Sequence, residues 1–205
     1  MVAELKTSAT KADAFFGVRS YYVEERRTAI GGGNRSRLFD DAGHPAGALI
    51  QRTGFAIRFW RIFLKASLLP FRLELHDNSG RTVAAIRRGW TILRSRTEIV
   101  DGRDKVIGFL KHKDTARRPR IKVFNEEGKK IGEVTGTTGT WDMNIIDREY
   151  LHLGQIHAFA PETTPGETRG QDTYFVNIDG EGATPRERRL LLIVSIAIDR
   201  LLEHK

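Results

Sequence analysis

Apolar and polar residues alternate along most of the chain. Phe71, Leu73 and Leu75 fall on one side of an extended segment, with Arg72, Glu74 and His76 on the other. Ile121 and Val123 alternate with Arg120 and Lys122, and Trp141, Met143 and Ile145 continue the pattern. A period of two is the signature of strands with one buried and one wetter face. Tyr21–Arg27 and Thr173–Ile178 read as a first and a last strand.

Between them one spacing recurs: Asp or Asn, a turn residue three positions on, and Gly or Ala four further. It runs Asp40, Gly43, Gly47; Asp77, Gly80, Ala84; Asp101, Asp104, Gly108; Asn125, Gly128, Gly132; and Asp147, Tyr150, Gly154. The starts at 77, 101 and 125 are 24 residues apart, and the last follows after 22. Such a period means a repeated supersecondary unit. The unit predicted is a β-hairpin, in which Asp or Asn bonds its own backbone and Gly supplies positive φ. The later Gly falls inside the return strand, where it marks a bulge, a corner or close packing against something inside. Six hairpins make about twelve strands, and closing them into a barrel removes the edges.

The C-terminus changes period. Thr184, Pro185 and Glu187 stand at N-cap, N1 and N3, a capping box. The helix predicted from there runs to about Glu203. It is apolar on nearly every side through Leu190–Ile198, so it must be buried all round. At about 1.5 Å per residue it is nearly 30 Å long, which suits a barrel axis. The apolar run falls short of the roughly 18 residues that span a bilayer. Met1–Val18 lacks the unbroken apolar core of a secretory signal.

Several segments together resemble a known group. Leu69–Gly80 followed by Val83–Arg88 looks like a hairpin of phospholipid scramblase-like proteins. Asp172–Ile178 followed by Leu190–Asp199 is similar to their ending and to that of LURP-one-related proteins, and Tyr21–Arg26 is similar to the opening strand of the latter. The resemblance covers roughly residues 20–203. It implies the tubby C-terminal-like fold: mainly β, a twelve-stranded closed antiparallel barrel around a central hydrophobic C-terminal helix. It further implies an N-terminal extension over 1–19, a single domain over 20–205 and a helix at about 185–203. Tubby domains bind phosphoinositides through basic residues on the barrel exterior, and scramblases are membrane-associated. The chain departs from the scramblases in lacking Cys and a Pro-rich tail. The stretch matching their calcium segment offers Asp172 and Asp179 without the alternating acidic ligands of an EF-hand loop.

Composition adds where to look. The 205 residues carry 34 Lys and Arg against 26 Asp and Glu, a formal charge of +8. From Gln51 to Lys122 there are 18 basic and 6 acidic residues, so the excess belongs to the middle third. A local positive surplus points to an anionic partner. The segment Lys111–Lys122 is its densest part, with Lys111, Lys113, Arg117, Arg118, Arg120 and Lys122. Arg87, Arg88, Arg94 and Arg96 lie on the preceding hairpin's return and the strand after it. All ten are assigned to a ligand-binding face, since guanidinium forks and ammonium heads neutralise phosphates. Phe55–Leu69 stretches the first inter-hairpin spacing to 37 residues. Its Phe59, Trp60, Arg61, Phe63 and Lys65 mix aromatic and basic groups as a membrane-interface segment does.

Catalytic chemistry has no pattern here. No Cys is present, the six His show no metal spacing, and Gly31–Gly33 is not followed by the Lys-Ser/Thr of a phosphate loop. The expectation is a non-enzymatic module without cofactor or metal, cytoplasmic and peripheral on the inner face of a membrane, binding anionic phospholipid headgroups. A protein-interaction scaffold is the alternative. Nucleic acid ranks lower, because no reading module is recognisable, and lipid scrambling lower still.

Overall fold

Five turns repeat one hydrogen-bond pattern. The N–H of Asp40, Asp77, Asp101, Asn125 and Asp147 donates to the carbonyl four residues on, at 2.9–3.0 Å, and its own carbonyl accepts from the N–H three residues on. The side-chain oxygen closes the loop. Asp101 Oδ1 accepts from Arg103 N at 2.9 Å and Lys105 N at 3.0 Å, and the same pair of bonds recurs at Asp40, Asp77 and Asp147. The third position is left-handed throughout: φ is +79° at Gly43, +80° at Gly80, +65° at Asp104, +81° at Gly128 and +67° at Tyr150.

These turns join strands in a computed structural model that describes residues 14–26, 35–52, 69–89, 96–112, 119–136, 142–159 and 173–203. The strands are β1 (Ser20–Arg26), β2 (Arg35–Phe39), β3 (Pro45–Arg52), β4 (Phe71–Asp77), β5 (Thr82–Arg88), β6 (Thr97–Asp101), β7 (Val106–His112), β8 (Arg120–Asn125), β9 (Lys130–Gly136), β10 (Met143–Asp147), β11 (His152–Phe159) and β12 (Thr173–Ile178). Each pairs antiparallel with its sequence neighbours, and β1 pairs with β12, so the barrel is closed. The five tight turns gather at one end of the barrel.

Each of the five tight-turn hairpins carries a bulge at one place. Leu38 faces Gly47 while Phe39 faces Pro45, which leaves Ala46 extra on the return strand. The shift recurs between Leu75 and His76, Ile99 and Val100, Val123 and Phe124, and Ile145 and Ile146. A bulge bends its strand and brings the next backbone close. A Cβ on Gly47 or Gly154 would lie 2.1 Å from a neighbouring carbonyl oxygen, so the recurrent small residue is a packing requirement.

The barrel is filled by helix α1 (Pro185–Ile196) and α2 (Ile198–Glu203). The capping box at Thr184 forms as expected, with Glu187 N on Thr184 Oγ1 at 3.3 Å and Thr184 N on Glu187 Oε2 at 3.0 Å. The single helix expected from the sequence is broken at Ala197, whose φ and ψ are −93° and 5°. Leu190 to Leu201 are buried. Leu190 and Leu191 press on the inner faces of β7 and β9 where Gly108 and Gly132 leave room. Tyr174 Oη donates to Ile196 O at 2.5 Å, tying β12 to the end of α1. Among the described residues no helix is long and apolar enough to cross a membrane.

Residues 14–19, placed by the sequence ahead of the barrel, pack on it. Phe15 and Phe16 are buried in a helical turn, and Tyr21 Oη donates to Phe15 O. Arg188 donates to the carbonyls of Phe16, Val18 and Ile178 at 2.8, 2.9 and 3.0 Å. Arg189 lies 4.4 Å over the Phe16 ring.

Candidate functional site

Strand alternation puts a run of basic residues on outward positions, and the register lines them up. Arg52 on β3 faces Arg72 on β4, which faces Arg87 on β5, which faces Glu98 on β6. The row goes on through Phe109 on β7, Phe124 on β8 and Lys130 on β9. Seven adjacent strands therefore present one continuous band, three arginines at one end and two phenylalanines towards the other.

At the arginine end the barrel opens into a cleft of about 570 Å³ lined by Arg52, Pro70, Phe71, Arg72, Arg87, Arg88, Gly89, Arg96 and Glu98. Three carboxylates hold part of this charge. Glu74 accepts from Arg52 Nε and Arg72 Nε, both at 2.9 Å, and from His76 Nε2 at 3.1 Å. Glu98 accepts from Arg87 Nε at 2.9 Å. Asp104, from the β6–β7 turn, accepts from Arg72 Nη1 at 2.9 Å and Arg87 Nη1 at 2.5 Å. Five guanidiniums against three carboxylates leave the cleft positive.

The electrostatics follow from this network. Burial acts to raise Glu74, but its hydrogen bonds from Arg52, Arg72 and His76 prevail and bring its carboxyl down to about 2. The Arg72 hydrogen bond holds Asp104 below the usual carboxylate range, against a smaller effect of desolvation. Arg88 differs from the others. It continues the inward side of β5 at the barrel mouth, opposite Phe71, with its guanidinium 4.8 Å from that ring and Nη2 donating to Leu69 O at 3.3 Å. Burial lowers its pKa.

Aromatic rings carry the next cations. Arg96 lies 3.8 Å over Phe109 and Lys111 5.0 Å over Phe124. Among the described residues no carboxylate pairs with Arg96. Lys111 faces Lys122 across β7 and β8, and Arg120 reaches Glu133 at 3.5 Å. Glu133 is buried on the outer side, with Lys130 at 3.0 Å.

Of the ten basic residues singled out in sequence, Arg87, Arg88 and Arg96 meet in the cleft. Lys111, Arg120 and Lys122 lie on the same outer face, on β7 and β8. Arg94, Lys113, Arg117 and Arg118 lie outside the described residues, as do Phe59, Trp60, Arg61, Phe63 and Lys65, together with Arg27, Gly31–Gly33, Trp141 and Asp172. Arg52 and Arg72 are members the sequence reading missed. The alternation of β4 already turned Arg72 outward; the pairing of β3 with β4 across the 18 intervening residues had no local signal. Among the described residues no group of three or more His, Asp or Glu is placed to hold a metal.

The molecule is thus a closed antiparallel β-barrel threaded by its C-terminal helices, with a basic cleft at its mouth. A crystal structure of a protein from Arabidopsis thaliana aligns over 90% of this chain and 92% of its own, with a TM-score of 0.52 and 14% identity, a likeness of fold. A putative outer membrane lipoprotein-sorting protein domain from Vibrio parahaemolyticus aligns over 89% of this chain and 94% of its own, but its TM-score of 0.26 and 8% identity carry no argument. No family model and no curated protein sequence matches the chain.

Proposed function

We propose that the barrel is a non-enzymatic module that binds anionic phospholipid headgroups of the phosphoinositide kind through its basic outer face. The observation that carries this is the cleft: five arginines from four consecutive strand regions face one open volume of about 570 Å³ and outnumber the carboxylates among them. Guanidinium forks suit phosphate oxygens. An open, electropositive concavity at a barrel mouth suits a headgroup presented by a surface. In this reading the protein is peripheral on the cytoplasmic face of a membrane and belongs with the LURP-one-related and scramblase-like proteins. The threaded barrel and the fold likeness support that grouping, as do the segments that resemble those families.

Co-sedimentation with anionic and with neutral vesicles tests it. The native protein is expected to pellet with anionic vesicles and to stay in solution with neutral ones. Arg52→Glu with Arg96→Glu, both exposed, should abolish pelleting while leaving the circular dichroism spectrum unchanged. Failure of the native protein to bind either vesicle would end the proposal. Binding to nucleic acid in a gel shift, with none to vesicles, would redirect it.

A further inference from the structure

Asp104 stands where the fold asks for glycine. The sister turns starting at Asp40, Asp77 and Asn125 make the same backbone bonds and put Gly43, Gly80 and Gly128 at this left-handed position. A side chain there is disfavoured relative to glycine, less so for Asp than for most residues. Nor does the turn use the Asp104 carboxylate, because Asp101 Oδ1 already closes it. Tyr150, the other non-glycine residue at this position, also reaches outward, its ring 4.7 Å from Lys130 Nζ.

The Asp104 carboxylate is spent on the cleft. Its two oxygens take Arg72 Nη1 and Arg87 Nη1, at 2.9 and 2.5 Å. Both arginines line the cleft, and both already have Nε engaged, Arg72 by Glu74 and Arg87 by Glu98. Asp104 therefore draws off fork hydrogens that an incoming anion needs. Its side chain is half exposed, so nothing seals this arrangement against exchange.

Resting on the reading of the cleft as an anion site, we propose that Asp104 is an internal counter-anion that determines which anions the cleft accepts. A ligand group with a single charge, such as a carboxylate or a phosphodiester, offers these arginines no more than Asp104 already does. A phosphate monoester brings about −1.5 to −2 charges and three acceptor oxygens, and displaces it. Asp104 is thus a specificity-determining residue that favours phosphate monoesters over singly charged headgroups.

Asp104→Gly tests this, since it restores the residue the sister turns carry and removes the carboxylate. The native protein and the variant are titrated with vesicles containing phosphatidylserine, vesicles containing a phosphatidylinositol monophosphate, and inorganic pyrophosphate in solution. The native protein should prefer the monoester vesicles. The variant should bind phosphatidylserine vesicles about threefold to tenfold more tightly, with a smaller gain on the monoester, so that the preference narrows. Pyrophosphate should behave like the monoester, with a small gain; binding of pyrophosphate by both proteins, with neither vesicle bound, would assign the cleft to free phosphates rather than to a lipid surface. If the native protein binds and the variant binds equally or more weakly, Asp104 merely orients its arginines and this inference falls alone. If neither protein binds any of the three, the anion reading of the cleft falls with it.

Discussion

The guanidinium of Arg96 lies 3.8 Å over the ring of Phe109, one strand away on the outer face. The ring fixes a cation at the edge of the cleft without neutralising it, unlike Glu74, Glu98 and Asp104. Phe109→Leu should therefore weaken binding to anionic vesicles with no change in net charge. An exposed cation–π contact is worth about 0.5–1 kcal/mol, so a twofold to fivefold loss is expected. Co-sedimentation at two salt concentrations checks it. The salt dependence should match that of the native protein, because no charge has been removed. A steeper or shallower dependence would mean that the substitution disturbed the arginines themselves.

Glu74 ties two arginines and a histidine, and acid should release them. Its carboxyl falls from an ordinary 4.5 to about 2 in the fold. A depressed carboxylate contributes stability that is present above the unfolded value and is lost as pH falls through the folded one. The window here is pH 4.5 down to 2. Thermal midpoints across it should drop more steeply for the native protein than for Glu74→Gln, which cannot titrate. The difference is on the order of 2 kcal/mol after screening of the exposed Arg52 partner. Parallel acid limbs would show that Glu74 contributes nothing through its charge.

Much of the barrel was legible because its determinants are local. Asp40, Asp77, Asp101, Asn125 and Asp147 mark the turns by chemistry that acts within five residues. Thr184 and Glu187 mark the helix start in the same way. The break at Ala197 was not legible, since the apolar run continues through it and the interruption belongs to packing inside the barrel. The site was legible in sign and only partly in membership. Arg87, Arg88 and Arg96 were reached through the charge surplus of the middle third. Arg52 and Arg72 were missed because their place follows from strand register across a long connection. The carboxylates were missed as partners for a similar reason: Asp104 read as a turn residue, yet the curl of its hairpin sets it beside β4 and β5.

The turn glycines and the bulge glycines should divide by mechanism. At Gly80, φ is +80° and an added Cβ meets nothing within 4 Å, so Gly80→Ala carries only the left-handed backbone cost of about 1 kcal/mol. At Gly154 the added Cβ would meet Asn177 O at 2.1 Å and the Ile178 Cα at 2.8 Å. Both are backbone, and neither can swing aside. Gly154→Ala should cost about 2–4 kcal/mol by forcing β11 away from β12. Ala84 shows that the second hairpin tolerates a methyl at the equivalent place, so the cost at Gly154 comes from local approach rather than from the bulge as such. Denaturant titration of the two variants should rank them in this order; a Gly154→Ala loss no larger than that of Gly80→Ala would contradict the close approach.

Arg188 closes the tight-turn end of the barrel. Its guanidinium donates to Phe16 O, Val18 O and Ile178 O, joining the segment before β1, the end of β12 and the first turns of α1. Burial lowers its pKa, yet three carbonyls satisfy the charge. Charge-assisted bonds of this kind contribute about 1.5–3 kcal/mol each when removal strands a partner. Arg188→Lys keeps the charge but lacks the planar fork, so it cannot span all three carbonyls. It should cost about 2–3 kcal/mol, and Arg188→Met somewhat more. The two variants separate charge from geometry: a Lys variant as stable as the native protein would make the charge alone responsible. Hydrogen exchange locates the loss. Amides of residues 15–19 should lose protection first in both variants, while those of β6 to β8, on the far side of the barrel, should keep theirs until global unfolding.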